Sequence, residues 1–127
     1  GPLGTRELNR ALQAVLNPNL EELPEKISGG VTYRVGDRVM QVKNNYDITW
    51  KRKKTFGSET YLAKPSEKVE IGTGVFNGEI GTILEINEKE KVVKIQFDDE
   101  KIAWYEYADL EQIEHSYAIT IHKAQRK

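Results

Sequence analysis

Leu8, Leu12, Val15 and Leu16 recur at helical spacing, so the chain is predicted to open with a short amphipathic helix over Thr5–Leu16. Thr5 is placed to cap it, and Asn17-Pro18-Asn19 stops it, because proline restricts the residue before it and cannot extend a helix. Leu20–Gly30 mixes charges with proline and a glycine pair, and reads as a connecting segment. From Val31 the period falls to two. Tyr33–Lys43 alternates as a strand does, with Gly36-Asp37 as a turn or bulge just before its core. Trp50–Ser66 mixes basic, polar and aromatic residues without a clean period, which predicts an extended loop or an irregular hairpin.

The pattern is clearest from Gly72 to Phe97. Gly72–Gly78 is a turn-rich entry; Ile80, Thr82, Leu84 and Ile86 then alternate along a strand over Glu79–Ile86. Asn87–Glu90 forms a loop, and Val92–Phe97 returns as the partner strand. Asp98–Glu100 turns the chain into a third strand over Lys101–Tyr107, carrying Ile102 and Trp104. Ala108–Ile113 suits a single turn followed by a short strand, and Tyr117–Ile121 alternates like a final strand. Short strands at close spacing, parted by Gly, Asn and Asp turns, predict a mainly β fold: a small SH3-like antiparallel barrel with an N-terminal helix. In "GEIGTILEIN", Gly78 and Gly81 suit a sharp barrel corner where a side chain would clash, an architectural role before a functional one.

Composition narrows the function more than the fold. The 127 residues suit one domain, and a net charge of −1 excludes a uniformly basic nucleic-acid binder, leaving local patches. With no cysteine, neither a disulfide framework nor a thiolate metal site exists. No apolar run approaches the ~20 residues that span a bilayer and no secretory signal is visible, so a cytoplasmic protein is the expectation. The chain starts at Gly1, and Met40 is its one methionine, which reads as a processed or cut piece of a longer protein. Gly1–Gly4 fits either a cleavage scar or native sequence.

Candidate chemistry is sparse. His115 and His122 lie seven apart on a segment expected to be extended, so they do not share a helical face as a metal pair, and each is more simply a surface or half-buried imidazole. There is no Gly-x-x-x-x-Gly-Lys-Ser/Thr phosphate loop and no Gly-x-Ser-x-Gly elbow. Asp98-Asp99-Glu100 is more simply a solvated turn than a metal site. Nucleic-acid contact has more support. Lys51, Arg52, Lys53 and Lys54 sit between Trp50 and Phe56, with Tyr46 and Tyr61 nearby. Positive charge tracks a phosphate backbone and exposed rings stack on bases, although a charge run is also the ordinary look of a solvated loop and Trp50 of a core residue. Lys123, Arg126 and Lys127, with His122, form a second basic group.

Four ordered blocks carry a resemblance. "VGDRVMQVKNNY" over Val35–Tyr46, "GVFNGEIGTI" over Gly74–Ile83, Val93–Phe97 with Asp98, and "YAITIHKAQ" over Tyr117–Gln125 together resemble the RecD-like (RecD/TraA) DNA helicases of superfamily 1, which include the alpha subunit of exodeoxyribonuclease V. "GTRELNRALQAVLNP" is similar to the segment leading into that block, and Trp50–Thr73 is the least matched stretch. The resemblance implies a piece of an ATP-dependent 5′→3′ helicase, acting in DNA repair and recombination, whose SH3-like domain is inserted into the second RecA-like motor domain. On that reading residues 1–30 are motor helix and linker, 31–45 the strand leading from the motor, 46–113 the barrel with its basic loop, and 114–127 the returning strand. The last segment resembles the motif Thr-x-His-Lys-x-Gln-Gly, so Thr120, His122, Lys123 and Gln125 are implied to couple nucleotide state to single-stranded DNA. Asn44, Trp50, Lys51, Arg52, Lys53 and Lys54 complete the expected DNA contacts. The family pattern continues Gly-Ser-Glu where this chain has Arg126-Lys127. ATP and Mg²⁺ would belong to the parent protein and no cofactor to this piece; its partners would be single-stranded DNA and the remaining motor domains, with no membrane. Two rivals stay open: a stand-alone SH3-like or KOW-like module for RNA or a protein, and a spacer that only braces the motor.

Overall fold

The computed structural model describes residues 2–56 and 66–124. Helix α1 (Pro2–Leu16) is followed by β1 (Glu25–Ser28), β2 (Val31–Arg34), β3 (Arg38–Gln41), β4 (Asn45–Phe56), β5 (Ser66–Val75), β6 (Ile80–Asn87), β7 (Val92–Phe97) and β8 (Ile102–Glu106). A 3-10 helix (Tyr107–Gln112), β9 (Ile113–His115) and α2 (Tyr117–Ala124) follow. The fold is mainly β, as expected, with small antiparallel strands in the SH3-like manner. Seven strands form one sheet in the order β5-β4-β8-β7-β6-β3-β9, and β1 pairs with β2 apart from it. Among the described residues no ladder joins β5 to β9, so the sheet is open where a closed barrel was expected.

Inward residues of the sheet share one core. Val39, Val75, Ile95, Ala103 and Tyr105 are fully buried within it, beside Ile48, Ile83, Val93, Phe97 and Ile113. Gly81 is required where β6 crosses β7: an added Cβ would sit 2.9 Å from the Phe97 Cα, against backbone that cannot move aside. The architectural reading of this corner therefore holds. On β8 the strand alternates strictly between faces. Ala103 and Tyr105 point inward, which leaves Ile102 and Trp104 on the outer face.

Local expectations are corrected at four places. Thr5 lies inside α1, which begins at Pro2, and so does not cap it. The glycine pair in the expected linker makes the turn of the β1–β2 hairpin, with φ of +58° at Gly29 and +79° at Gly30. The segment over Trp50–Ser66, expected as an extended loop or an irregular hairpin, is a regular hairpin as far as it is described, with residues 57–65 outside the described residues; β4 and β5 pair in continuous register from Thr49↔Thr73 to Phe56↔Ser66, and the turn-rich entry is strand as far as Val75. Tyr117–Ile121 is helix, not strand.

Helix α1 explains the last correction. It docks through its polar side, with Asn9 and Gln13 buried, while Leu8, Val15 and Leu16 of the apolar stripe face outward. Asn9 donates its amide to the His115 carbonyl (3.1 Å) and accepts from the Ala118 N–H (2.9 Å). It thereby satisfies an amide in the first turn of α2, where four N–H groups have no partner inside the helix. Thr120 N–H then reaches Ser116 O at 3.0 Å, closing the first helical turn. An alternating sequence turns helical because another helix caps it from outside.

The same contact zone centres on Asp37, which is fully buried in the turn between β2 and β3. Its Oδ1 accepts from Asn17 Nδ2 (2.7 Å) and the Tyr117 hydroxyl (2.7 Å). Its Oδ2 accepts from Gln13 Nε2 (2.9 Å), Arg34 N–H (2.8 Å) and His115 Nε2 (2.7 Å). Five donors from α1 and its exit, β2, β9 and α2 thus converge on one carboxylate. Burial pushes its pKa up, but the hydrogen bond and charge of His115, with the donors Tyr117 and Asn17, hold it below the usual carboxylate range.

Asp37→Asn sets an N–H₂ against at least two of the five donors and should cost about 3 kcal/mol of stability, read as a lower urea midpoint. The sign of the pH dependence follows from the lowered pKa. The stabilisation is full above the unfolded aspartate value of about 3.9 and is lost as pH falls through the folded value. Wild-type stability should therefore drop below about pH 4, and the drop should shrink in Asp37→Asn.

Candidate nucleic-acid interface

β4 and β5 build an arm. β8 pairs with β4 only at Trp50↔Ala103 and Lys51↔Ile102, so beyond Lys51 the two strands form a ribbon paired only to each other. Because side chains alternate across a strand, the run Lys51-Arg52-Lys53-Lys54 is divided between two faces. Lys51 and Lys53 stand on the outer face opposite Ile71 and Val69; Arg52 and Lys54 stand on the other, opposite Glu70 and Lys68.

The two faces differ in charge balance. Arg52 bonds Glu70 at 3.0 Å and reaches Asp99 at 3.4 Å, and Lys54 lies 3.3 Å from the same Glu70 carboxylate. Desolvation pushes Glu70 up, but hydrogen bonds from Arg52 and Lys54 hold its carboxyl below the usual range. Trp50 belongs to this inner side. Its indole lies against Gly72, where any Cβ would strike the ring, with the Arg52 guanidinium 5.1 Å and the Lys101 ammonium 5.5 Å from its centre. Half-buried and packed on the core, Trp50 is a supporting residue of the arm.

On the outer face no carboxylate lies within ion-pair distance of Lys51 or Lys53 among the described residues. Lys51 Nζ instead sits 5.6 Å from the ring centre of Trp104, and Lys94 Nζ approaches the same ring at 5.9 Å. Val69 and Ile71 are more than half exposed beside them. Trp104 and Lys94 were missed as site residues, since Trp104 was read only as a strand residue and Lys94 stood outside the basic run. The signal available was the neighbouring Ala103 and Tyr105, which also alternate and fill the interior.

The other expected residues lie elsewhere. Thr120 is exposed on α2, its hydroxyl donating to Ser116 O at 3.0 Å. His122 and Lys123 fall on the last turns of α2 with their side chains outside the described residues, as Gln125 and Tyr61 are altogether. α2 follows β9, at the opposite end of the strand order from the β4–β5 arm. Asn44 accepts from the Asn77 N–H at 2.9 Å and braces the turn between β5 and β6. His115 is buried on Asp37, a far stronger engagement than a surface imidazole makes. Among the described residues no three His, Asp or Glu side chains converge as metal ligands, and no helix is long and apolar enough to cross a membrane.

A family model and one characterized relative point to the same family. The profile of the family described as "ATP-dependent RecD-like DNA helicase SH3 domain" matches residues 8–97. The chain is similar to the ATP-dependent RecD2 DNA helicase of Deinococcus radiodurans, with 30% identity over 98% of this chain and 13% of that protein. It is also similar to the uncharacterized protein MJ1519 of Methanocaldococcus jannaschii, with 33% identity over 72% of this chain and 7% of that protein. The chain therefore spans a small part of the length of either relative. No solved structure matches it. A matched segment running from α1 through β7 places the chain in a family: it belongs to the SH3 domains of ATP-dependent RecD-like DNA helicases.

Proposed function

We propose that this chain is the non-catalytic SH3-like insert of an ATP-dependent 5′→3′ DNA helicase, and that its β4–β5 arm guides single-stranded DNA beside the motor. The observation that carries the reading is the division of the basic run. Arg52 and Lys54 are already neutralised by Glu70 and Asp99, whereas Lys51 and Lys53 stand on the exposed face without a carboxylate partner among the described residues. Phosphate neutralisation needs such uncommitted cations. Thr120, His122, Lys123 and Gln125 keep the role that the motif resemblance implies, coupling nucleotide state to the strand, and Asn44 would support the entry to the arm. ATP and Mg²⁺ would be bound by the parent motor, since the 127 residues contain no phosphate loop.

The remaining motor domains are the proposed partner of α1. A helix that buries asparagine and glutamine while showing solvent its leucines has its apolar face turned away from the core of this domain. Val15 is 76% exposed and Leu20, just beyond the helix, 85%. Such an apolar stripe fits an interface with protein lying outside this chain.

Lys51→Glu with Lys53→Glu should weaken binding of a labelled single-stranded oligonucleotide. The same pair should flatten the dependence of log Kd on log salt by about 0.7 for each phosphate that is no longer neutralised. Arg52→Gln with Lys54→Gln should weaken binding much less. Equal weakening by both pairs, or no saturable binding at low salt, would count against the arm as the DNA-binding element. Val15→Glu with Leu16→Glu should leave the stability of this chain, read from its urea midpoint, within about 0.5 kcal/mol, as for other exposed positions. The same pair in the full-length helicase should lower its thermal midpoint.

A further inference from the structure

The outer face of the sheet holds a feature that the basic run alone does not explain. Trp104 stands partly exposed in mid-strand on β8, with the Lys51 ammonium from β4 5.6 Å and the Lys94 ammonium from β7 5.9 Å from its ring centre. Beside it opens a cleft of about 380 Å³, lined also by Asn45, Asp47, Thr49, Glu106 and Asp109. Sites for small ligands span about 300–1,000 Å³, so the space suits one planar ring system. A break in the β4–β5 register between Asn45 and Thr49 lies along its wall.

From this arrangement we infer that Trp104 is a stacking platform for one unpaired nucleobase of the bound strand. The inference rests on the proposed single-stranded DNA contact and adds to it a residue and a mode of recognition. Charge sets the orientation. Lys51 and Lys94 present ammonium groups beside the ring, and Lys53 continues the same outer face along the arm, where phosphates can run. The Lys94 tie to Glu85, at 3.5 Å between half-exposed groups, is weak enough to be exchanged for a phosphate. The carboxylates of Asp47 and Glu106 repel phosphate from the cleft, so the base enters it and the backbone stays outside. Those carboxylates accept hydrogen bonds from an exocyclic amine, such as that of cytosine or adenine. A base inside a duplex keeps its faces covered and cannot bind this way.

The test compares an oligo-dC strand with an abasic strand of equal length, at pH 8 and fixed salt. Stacking on one aromatic side chain predicts about tenfold tighter binding of oligo-dC. Trp104→Leu should abolish that difference and Trp104→Phe should keep part of it, with circular dichroism confirming that both variants fold. In a Trp50→Phe background the remaining indole should be quenched by oligo-dC and not by the abasic strand. Equal affinity for the two strands, or a preference that survives Trp104→Leu, would overturn the inference. The broader DNA contact would still stand if Lys51→Glu with Lys53→Glu weakened both strands. Absence of binding to either strand would remove both readings together.

Discussion

One carboxylate holds the two ends of this chain together. Asp37 lies in the turn that launches the sheet, and it is bonded by side chains from α1, its exit, β9 and α2. A buried charge is tolerated only when it is paired and its lone pairs are filled, and here five donors fill them. The consequence is geometric. Segments far apart in sequence must arrive together, since a missing donor would leave the charge short of its bonds. A second buried chain does similar work inside the sheet: the Tyr105 hydroxyl donates to Gln41 Oε1 at 2.6 Å, and Gln41 Nε2 donates to Gln112.

This arrangement makes the flanks part of the domain's own structure. β3 is bonded into the sheet between β6 and β9, and α2 is capped by Asn9 of α1. Yet the leucine stripe of α1 stays outside. Polar contacts lock the helix to the sheet while Leu8, Val15 and Leu16 stay exposed.

The arm shows how strand geometry sorts charge. Four consecutive basic residues would act as one patch on a flexible loop. On a strand they become two pairs, one neutralised by Glu70 and Asp99 and one uncommitted beside Trp104. The inner pair ties the ribbon to Glu70 and Asp99, and the outer pair has no carboxylate partner among the described residues. Gly72 lets Trp50 lie flat against the ribbon, where any larger residue would push the indole away.

Local chemistry was enough to read several parts from the residues alone. The β6–β7 hairpin announced itself by its apolar strands and by Asn-Glu-Lys-Glu between them, and Gly81 marked a close crossing; the expected alternation of Ile80, Thr82, Leu84 and Ile86 is broken by a bulge between Ile83 and Glu85, which buries Ile83 and Ile86 and leaves Leu84 exposed. The family was legible too, in four ordered blocks. Other parts waited on the tertiary structure because their signals are ambiguous within a segment. Alternation on β8 is satisfied equally by Ile102 with Trp104 or by Ala103 with Tyr105, and only packing decides which pair faces in. "YAITI" alternates like a strand, yet it is helical because Asn9, more than a hundred positions away, caps it. Leucines at helical spacing said that α1 is amphipathic but not which side meets the core; the five-bonded Asp37 drew the polar side inward. Sequence determined the local elements and the kinship, whereas the faces they present were decided by long-range contacts, since a buried charge must be satisfied wherever its donors lie along the chain.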